Sequence, residues 1–283
     1  MIVSKLARRL PAPILRAVRR LRGRKARREL ETWLANIAPL FGGFENKRVL
    51  DVGSDVAGTT VDVISRRFSP REVVGLNLKV SDFRLGSNAR LERGDIRRTR
   101  YPDGYFDVIV SSSAFEHISG FADAIAEMHR ILAPGGFLFS HFGPIWSTSY
   151  GHHLWVTHGG RLYNYWNVIL PPYCHLLLAR EEIEALLLDR GYGAELSAVM
   201  ADFVTASPQQ NQLFYEDYER IVGESDFDVL VFKGYDHPQL APVYNAAVTP
   251  ALLDRLYARH PGKRQFSYDG ITVLMRKEKG PRV

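Results

Sequence analysis

The sequence predicts an α/β fold with a doubly wound, mostly parallel sheet, because short apolar runs alternate with helical segments. The runs cover Arg48–Val52, Glu72–Asn77, residues 106–111 and residues 136–140, with a weaker one at 89–92. Nearly continuous apolar strands are typical of parallel strands that are covered on both faces. Helical patterns at residues 59–68 and 121–132 supply the crossovers, and such crossovers are right-handed.

Composition and charge place the chain among globular proteins with a basic N-terminal arm. Hydrophobic residues make up 46% and charged residues 24%, which is ample for a large core. Residues 1–28 hold 11 of the 37 basic residues and no acid. The rest of the chain has 26 basic and 31 acidic residues, a net charge of −5, so the overall charge of +6 belongs to the arm. The acidic body argues against a nucleic-acid partner.

Residues 1–28 form the first predicted segment, a basic amphipathic arm. Ile14, Leu15, Val18 and Leu21 fall on one helical face, and arginines occupy the others. This pattern predicts contact with an anionic membrane surface. The alternatives are that residues 1–28 form a solvated arm, a helix packed on the rest of the chain or on a partner, or an organelle transit peptide.

Localisation follows from what the sequence lacks. It contains no run that predicts a transmembrane helix or a secretory signal. The single cysteine, Cys174, is compatible with a reducing compartment. We therefore expect a cytoplasmic protein, peripheral at the membrane if the arm binds lipid. The sequence does not indicate the oligomeric state.

Residues 29–283 form the predicted main domain, with two insertions on the acceptor side at about 141–178 and 207–265. The first is rich in His, Trp, Tyr, Gly and Pro, and the second is predicted to be mostly helical. A second helix of the N-terminal region follows the arm at residues 30–37, and another helix is expected at 180–189. Strands are expected near 195–205 and at 271–275.

Several motifs occur in a fixed order between residues 46 and 141. The first strand ends in a turn rich in small residues, Asp51-Val-Gly-Ser-Asp-Val-Ala-Gly-Thr-Thr60. Later segments are Val73-Val-Gly-Leu-Asn77, Glu92-Arg-Gly-Asp95, Phe115-Glu-His-Ile118 and the Pro-Gly-Gly turn at 134–136, along with the run 101–112. The series resembles the motifs of class I S-adenosylmethionine (SAM)-dependent methyltransferases. The resemblance implies a seven-stranded sheet, SAM as cofactor and methyl transfer as the activity.

Site residues follow from this resemblance position by position. It implies that Asp51, Gly53, Ser54 and Asp55 lie in the cofactor turn, with Asp51 and Gly53 at the amino-acid end of SAM. It also implies Asn77 at the ribose hydroxyls, Leu78 on the adenine, Asp95 and Ile96 at the adenine edge, and Ser111 and Ser112 beneath the sulfonium.

Two positions depart from the family pattern. Asp55 stands where the family usually has Gly, which adds a charged side chain close to the ligand. Asn77 stands where the family usually has a carboxylate, which accepts two charge-assisted hydrogen bonds, whereas an amide offers one acceptor and one donor group. A non-catalytic module that has lost SAM binding is therefore the alternative function.

Histidines cluster on the segments that are expected to border the acceptor. Seven of the nine lie between 117 and 175. A hydroxyl acceptor needs a base to take its proton, and histidine is suited to this near neutral pH. The candidates are His117, His141, His152 and His153, each of which has a structural role as its alternative. The histidine spacing matches no standard zinc pattern, and no metal site is assigned.

The sequence thus predicts a SAM-dependent O-methyltransferase whose acceptor is a sugar or glycan hydroxyl or another small hydroxylated molecule.

Overall fold

The computed structural model describes residues 12–206 and 209–278, with the side chains of residues 12–22 and 24 left out of the description. The chain divides into two compact units, Met1–Gly94 and Asp95–Val283. The first eleven residues of the predicted arm lie outside the described residues.

Helix α1, Ala12–Ile37, opens the first unit. The two helices expected before and after residue 28 form one continuous helix, and Gly23 does not interrupt it. A single glycine costs a helix only about 1 kcal/mol, which its neighbours can offset. Leu34 and Ile37 are buried, and Arg27 forms an ion pair with Asp62 of the next helix.

The rest of the first unit alternates strands with one helix, as predicted. The elements are β1 (Arg48–Val52), α2 (Thr59–Arg67), β2 (Glu72–Asn77), β3 (Phe83–Arg84) and β4 (Ala89–Arg93). Their order in the sheet is β3-β4-β2-β1. Strand β2 pairs in parallel with both β1 and β4, and the short β3 is antiparallel to β4. The carboxyl ends of β1 and β2 therefore meet at one edge.

The second unit begins with the remaining parallel strands. It contains β5 (Phe106–Ser112), α3 (Phe121–Ile131) and β6 (Leu132–Phe142), and β5 pairs in parallel with β6. A two-stranded antiparallel hairpin of β7 (Trp155–His158) and β8 (Arg161–Asn164) follows. This hairpin lies within the first predicted insertion, at about 141–178.

The C-terminal half of the second unit combines six helices with the last two strands among its described residues. The helices are α4 (Cys174–Leu177), α5 (Arg180–Asp189), α6 (Ala194–Ala206), α7 (Tyr215–Gly223), α8 (Ala241–Asn245) and α9 (Pro250–Arg259). Strands β9 (Asp228–Tyr235) and β10 (Gly270–Arg276) complete the strand order β5-β6-β10-β9, in which β10 is antiparallel to both neighbours.

The α/β fold class is confirmed, with three corrections. Apart from the separate hairpin β7–β8, each unit has four sheet strands among the described residues, which makes eight where seven were predicted, and the pairing is mixed. The strand expected near 195–205 is helix α6, because Leu196, Met200 and Val204 recur at helical spacing and pack against α5. The segment 207–265 is not mostly helical, since it contributes β9 to the sheet.

No helix in the described part of the chain has the length and apolar content needed to cross a membrane.

Candidate functional site

The turn after β1 depends on a left-handed glycine. Gly53 has φ of 84°, a conformation that residues with a side chain avoid. Its backbone N–H donates a hydrogen bond of 2.9 Å to the carbonyl of Leu76. The chain thereby turns sharply from β1 toward α2, which starts at Thr59 after the left-handed Gly58. This geometry places the N-terminal N–H groups of α2 at the same strand edge, where they favour a bound anion.

Asp51, on β1 just before this turn, carries a buried carboxyl group that lacks a full set of partners. Its side chain is 4% exposed, and Oδ2 has no hydrogen-bond partner among the described residues. Burial raises the pKa of Asp51 to about 7; the Ser54 hydroxyl opposes this rise and the Asp55 charge adds to it. A cationic group placed beside the carboxyl would favour its ionised form.

Asp55, which departs from the family pattern, forms hydrogen bonds within the turn after β1. Its carboxylate accepts hydrogen bonds from the backbone N–H of Ala57 at 2.7 Å and of Thr59 at 3.1 Å. Asp is a preferred residue for satisfying the free N–H groups at a helix start. The side chain that departs from the family pattern is thus held by the backbone of the turn.

Asn77 joins the end of β2 to the same turn. Its Nδ2 donates to the carbonyl of Ser54 at 2.8 Å, and its Oδ1 accepts from the backbone N–H of Lys79 at 2.9 Å. The next residue, Leu78, is 58% exposed, so its side chain has an open face for packing. The ribose role of Asn77 and the adenine role of Leu78 stay predictions.

The second unit holds the other predicted cofactor residues. Asp95 forms an ion pair with Arg97, with 2.6 Å between Oδ2 and Nη2, and this partner lowers the pKa of Asp95. Ile96 is buried, Ser111 is buried within β5, and Ser112 is exposed at the end of that strand. Their predicted contacts with SAM likewise stay predictions.

Glu116, one turn beyond β5, is a functional candidate that the sequence reasoning missed. Its side chain is 2% exposed, Oε1 accepts from the backbone N–H of Gly143 at 3.3 Å, and Oε2 has no partner among the described residues. Burial raises the pKa of Glu116 to about 8. The carboxyl group is therefore mostly protonated at neutral pH and offers an O–H donor.

One predicted histidine, His117, lies beside this carboxyl group, and a second, His153, lies beside His117. His117 Nε2 is 3.9 Å from Glu116 Oε1, and the His117 ring is 5.0 Å from the ring of His153. His153 has a left-handed φ of 49° and contacts Gln210 through Nδ1. Burial, with a smaller contribution from His117, lowers the pKa of His153 to about 3, so it is neutral at pH 7.

His141 is oriented by two contacts at the end of β6. Its Nδ1 is 2.8 Å from Thr272 Oγ1, and its ring stacks on Tyr235 with 4.0 Å between centroids. Burial, helped by His237, lowers the pKa of His141. When Nδ1 donates to Thr272, the neutral ring keeps the lone pair on Nε2 and can accept a proton there.

His152 differs from its neighbour His153, because it belongs to the core. It is 1% exposed, its Nδ1 accepts from the backbone N–H of Leu154 at 3.1 Å, and its ring packs against His175 and Tyr244. Burial holds its pKa well below the usual range. This environment favours the structural role for His152 over the catalytic one.

Comparisons with known proteins agree with the strand and turn geometry. Residues 50–140 match a family model described as a methyltransferase domain. A ubiquinone/menaquinone biosynthesis C-methyltransferase UbiE from Stutzerimonas stutzeri is 31% identical over 119 residues, which is 37% of this chain and 44% of that protein. Residues 50–140 are thus similar to a methyltransferase domain.

Other relatives of the methyltransferase domain carry different names. A malonyl-[acyl-carrier protein] O-methyltransferase 1 from Coxiella burnetii is 33% identical over 97 residues, 34% of each chain. This chain spans less than half the length of either curated relative. A crystal structure of a provisionally assigned sarcosine dimethylglycine methyltransferase from Galdieria sulphuraria shares the fold, with a TM-score of 0.50, 16% identity and coverage of 90% and 88%.

Within each unit, predicted site residues that are distant in the sequence lie close together. The β1 turn gathers Asp51, Gly53, Ser54, Asp55 and Asn77. The second unit places His117 beside Glu116 and His153 beside His117. Glu116 belongs to the same motif as His117, Phe115-Glu-His-Ile118. A carboxylate between Phe115 and Ile118, with apolar residues on both sides, was the available signal. The described residues contain no group of three side chains arranged to hold a metal ion.

Proposed function

We propose that this chain is a SAM-dependent methyltransferase that modifies a hydroxyl group of a small acceptor, with a sugar or glycan hydroxyl as the leading candidate. The observation that carries the proposal is the buried, partly unpartnered carboxyl of Asp51 beside the Gly53 turn, within a methyltransferase domain. The alternative of a module without SAM binding is weakened, because Asp55 is held within its own turn.

The residues of the β1 turn fit the cofactor. The α-ammonium group of SAM would match the Asp51 carboxylate, and the Gly53 backbone leaves room for close approach. Leu78, with its open face, would pack on the adenine. When bound, SAM supplies an electrophilic methyl group on a sulfonium centre.

His141 is the base that we assign to the acceptor hydroxyl. It is neutral near pH 7, because burial lowers its pKa, and its ring is fixed by Thr272 and Tyr235. A fixed, neutral imidazole can take the hydroxyl proton as the oxygen attacks the methyl carbon. The O–H of Glu116 and the nearby His117 provide hydrogen-bonding groups that suit a hydroxylated acceptor.

Carbon methylation is the second candidate. It is favoured by the UbiE relative, whose name describes a C-methyltransferase of ubiquinone and menaquinone biosynthesis. Tyr165 and Tyr235, whose pKa values are both raised by burial, would suit an aromatic acceptor as well as a sugar. In this case His141 would take the proton of the ring hydroxyl or of the methylated carbon.

The experiment combines binding with product analysis on the full chain. Calorimetry with SAM and S-adenosylhomocysteine should show micromolar binding, and isotope-labelled SAM should label a hydroxylated sugar or phenol in an acceptor panel that includes quinols. Mass spectrometry of the product distinguishes O-methyl from C-methyl. Absence of binding at millimolar SAM would contradict the proposed activity, and labelling of carbon alone would support the second candidate.

His141→Asn tests the assigned base, with His129→Asn as the matched control. His129 lies on α3 with its ring against Phe227. We expect the first variant to lose about 10²-fold or more in kcat while it binds SAM normally, and the control to keep its activity. Equal kcat values for the two variants would remove His141 from this role.

A further inference from the structure

Two buried side chains of the second unit each keep one oxygen without a hydrogen-bond donor. Glu116 is 2% exposed and Gln210 is 8% exposed. Neither Glu116 Oε2 nor Gln210 Oε1 has a partner in the part of the chain that the structure describes. Buried acceptors are normally satisfied, because an unsatisfied one lowers stability. Two such oxygens therefore indicate a ligand group that brings its own donors.

The loop Gly143–Pro144 brings these two side chains together. The backbone N–H of Gly143 donates to Glu116 Oε1 at 3.3 Å, and the amide nitrogen of Gln210 donates to the Pro144 carbonyl at 3.4 Å. The backbone N–H of Asn211, the residue after Gln210, donates to the Glu116 carbonyl at 2.9 Å. The loop thus holds the other polar end of each side chain, and Oε2 of Glu116 and Oε1 of Gln210 are left for a ligand.

The charge of these surroundings is acidic. No Lys or Arg occurs in the segments that meet here, residues 113–121, 141–158 and 209–214. His117 Nε2 is 3.9 Å from Glu116 Oε1, beyond the distance of a hydrogen bond. Burial raises the pKa of Tyr235, and the charges of Glu116 and Asp269 add to this rise, so both carboxyl groups act on the same ring. A buried carboxyl group is neutralised either by a proton or by a cation.

Aromatic rings border the same groups. The ring of Tyr165 is 5.1 Å from that of His153, which in turn is 5.0 Å from His117. Burial raises the pKa of Tyr165, and the charge of Glu116 adds to the rise. The faces of such rings attract cations, most strongly where water is excluded. The rings and the two oxygens therefore favour a ligand group that is both positively charged and rich in N–H donors.

We propose that Glu116 and Gln210 bind an ammonium group of the acceptor, which makes the acceptor an amino alcohol or an amino sugar rather than a neutral polyol. The ammonium group would donate to Glu116 Oε2 and to Gln210 Oε1. Its charge would take the place of the proton that Glu116 holds in the free protein, because a cation beside a carboxyl group favours the ionised form.

The ammonium group would lie close to the reacting hydroxyl. Gly143, which donates to Glu116, is two residues beyond His141, the assigned base. The backbone N–H of Ser113 donates to the His141 carbonyl at 3.0 Å, so the turn that carries Glu116 begins beside that residue. This step rests on the proposed function, whereas the binding of an amine is measured without methyl transfer.

The test compares amines with alcohols of the same shape on the full chain, with S-adenosylhomocysteine absent and present. Tyramine is compared with tyrosol, and ethanolamine with ethylene glycol, because each pair differs only by an ammonium group in place of a hydroxyl. NMR titration at about pH 8, near the pKa of Glu116, gives the Kd values. We expect the amine of at least one pair to bind about tenfold more tightly than its alcohol. The absence of this preference in both pairs would overturn the proposal.

Variants assign the preference to the two oxygens. Glu116→Gln keeps the size of the side chain and should remove the preference, and Glu195→Gln, at an exposed position on α6, should retain it. Gln210→Met removes the second oxygen and should weaken amine binding about threefold while the alcohol binds as before. Circular dichroism confirms that each variant is folded. An amine preference that both Glu116→Gln and Gln210→Met leave unchanged would overturn the proposal.

Methyl transfer separates this proposal from the proposed function. If the amines bind as expected but no methyl group is transferred from SAM, the proposed function fails and the ammonium site stands. If both members of each pair are methylated with equal kcat/KM, the ammonium site fails and the proposed function stands. A methyl group located by mass spectrometry on the nitrogen would also overturn the ammonium site, since the amine would then be the reacting group.

Discussion

The side-chain amide of Asn77 donates a hydrogen bond of 2.8 Å to the carbonyl of Ser54. This contact ties the end of β2 to the turn after β1, the two segments that the family motifs place at the cofactor. The carboxylate that the family usually has at this position cannot donate this hydrogen bond. Asn77 therefore makes a contact with Ser54 that the family residue would lack.

Asn77→Asp should therefore destabilise the protein, even though it restores the family residue. The carboxylate cannot donate to Ser54 and would face its carbonyl oxygen, which we expect to lower the free energy of unfolding by about 1–2 kcal/mol. Urea unfolding measures the change. Asn36→Asp, at an exposed position on α1, is the control and should stay within about 0.5 kcal/mol. Equal stabilities of the two variants would show that the Asn77 contact is energetically neutral.

SAM affinity should depend on pH through Asp51. Its pKa of about 7 means that much of the carboxyl is protonated below neutral pH, and only the carboxylate binds the ammonium group well. The Kd for SAM should fall about tenfold for each pH unit from 5 toward 7 and then level off. Calorimetry across this range gives the profile.

Asp51→Asn should bind SAM at least about tenfold more weakly at pH 8 and should lose this pH dependence. Asp254→Asn, an exposed substitution on α9, should keep the wild-type profile. A wild-type Kd that does not change between pH 5 and 7 would contradict the assignment of Asp51 to the ammonium group.

Glu116→Gln should change how stability varies with pH. Burial raises the folded-state pKa of Glu116 to about 8, above the ordinary value of 4.5 in the unfolded chain. Between these values the folded state holds a proton that the unfolded state releases, so wild-type stability falls with rising pH, by up to about 1.4 kcal/mol per pH unit. Because Gln does not titrate, the variant should lack this fall in stability with rising pH.

The measurement is urea unfolding of wild type and variant at several pH values between 5 and 9. The free energy of unfolding of the variant should rise steadily relative to that of the wild type as the pH increases to 8. Above pH 8 the difference between the two should stay constant. Glu45→Gln, at an exposed position, should run parallel to the wild type throughout. A parallel curve for Glu116→Gln would show that its carboxyl is not held neutral.

Glu116 also shows where prediction from the sequence stops. The motifs 51–60 and 115–118 locate the strand ends and their turns, because backbone conformation and apolar runs are local properties. The burial of Glu116 and its contact with the Gly143 amide join positions 27 residues apart. The same holds for Asn77 and Ser54, 23 residues apart, whose hydrogen bond no local pattern encodes.

The mistaken elements have a related cause. Residues 194–206 are apolar on most faces, so a strand and a buried helix give similar patterns, and packing against α5 decides for the helix. Strand β9 exposes Val229, Leu230 and Val231 in succession beside a bulge, so the alternation that marks a strand is missing. The parallel strands β1, β2 and β5 were predicted well, because each is a short, almost fully buried run.

The carboxylate of Asp55 could stabilise the β1 turn or contact the ligand, and two variants distinguish these roles. Asp55→Ala removes both hydrogen bonds to the N–H groups of Ala57 and Thr59, and we expect a loss of about 1–2 kcal/mol in unfolding free energy. Asp55→Asn keeps a capping oxygen without the charge and should cost less than about 0.5 kcal/mol. If Asp55 serves only the turn, both variants that remain folded should bind SAM within about threefold of the wild type at pH 8.

The charge of Asp55 adds a finer expectation. Because it raises the pKa of Asp51, the Asp55→Asn variant should shift the pH profile of SAM binding toward lower pH, with an unchanged plateau. A carboxylate that instead contacts the ribose would give a different result. Asp55→Asn would then weaken SAM binding about tenfold on the plateau itself, because a charge-assisted hydrogen bond is lost. The plateau therefore tests the ligand contact, and the midpoint tests the electrostatic coupling between Asp55 and Asp51.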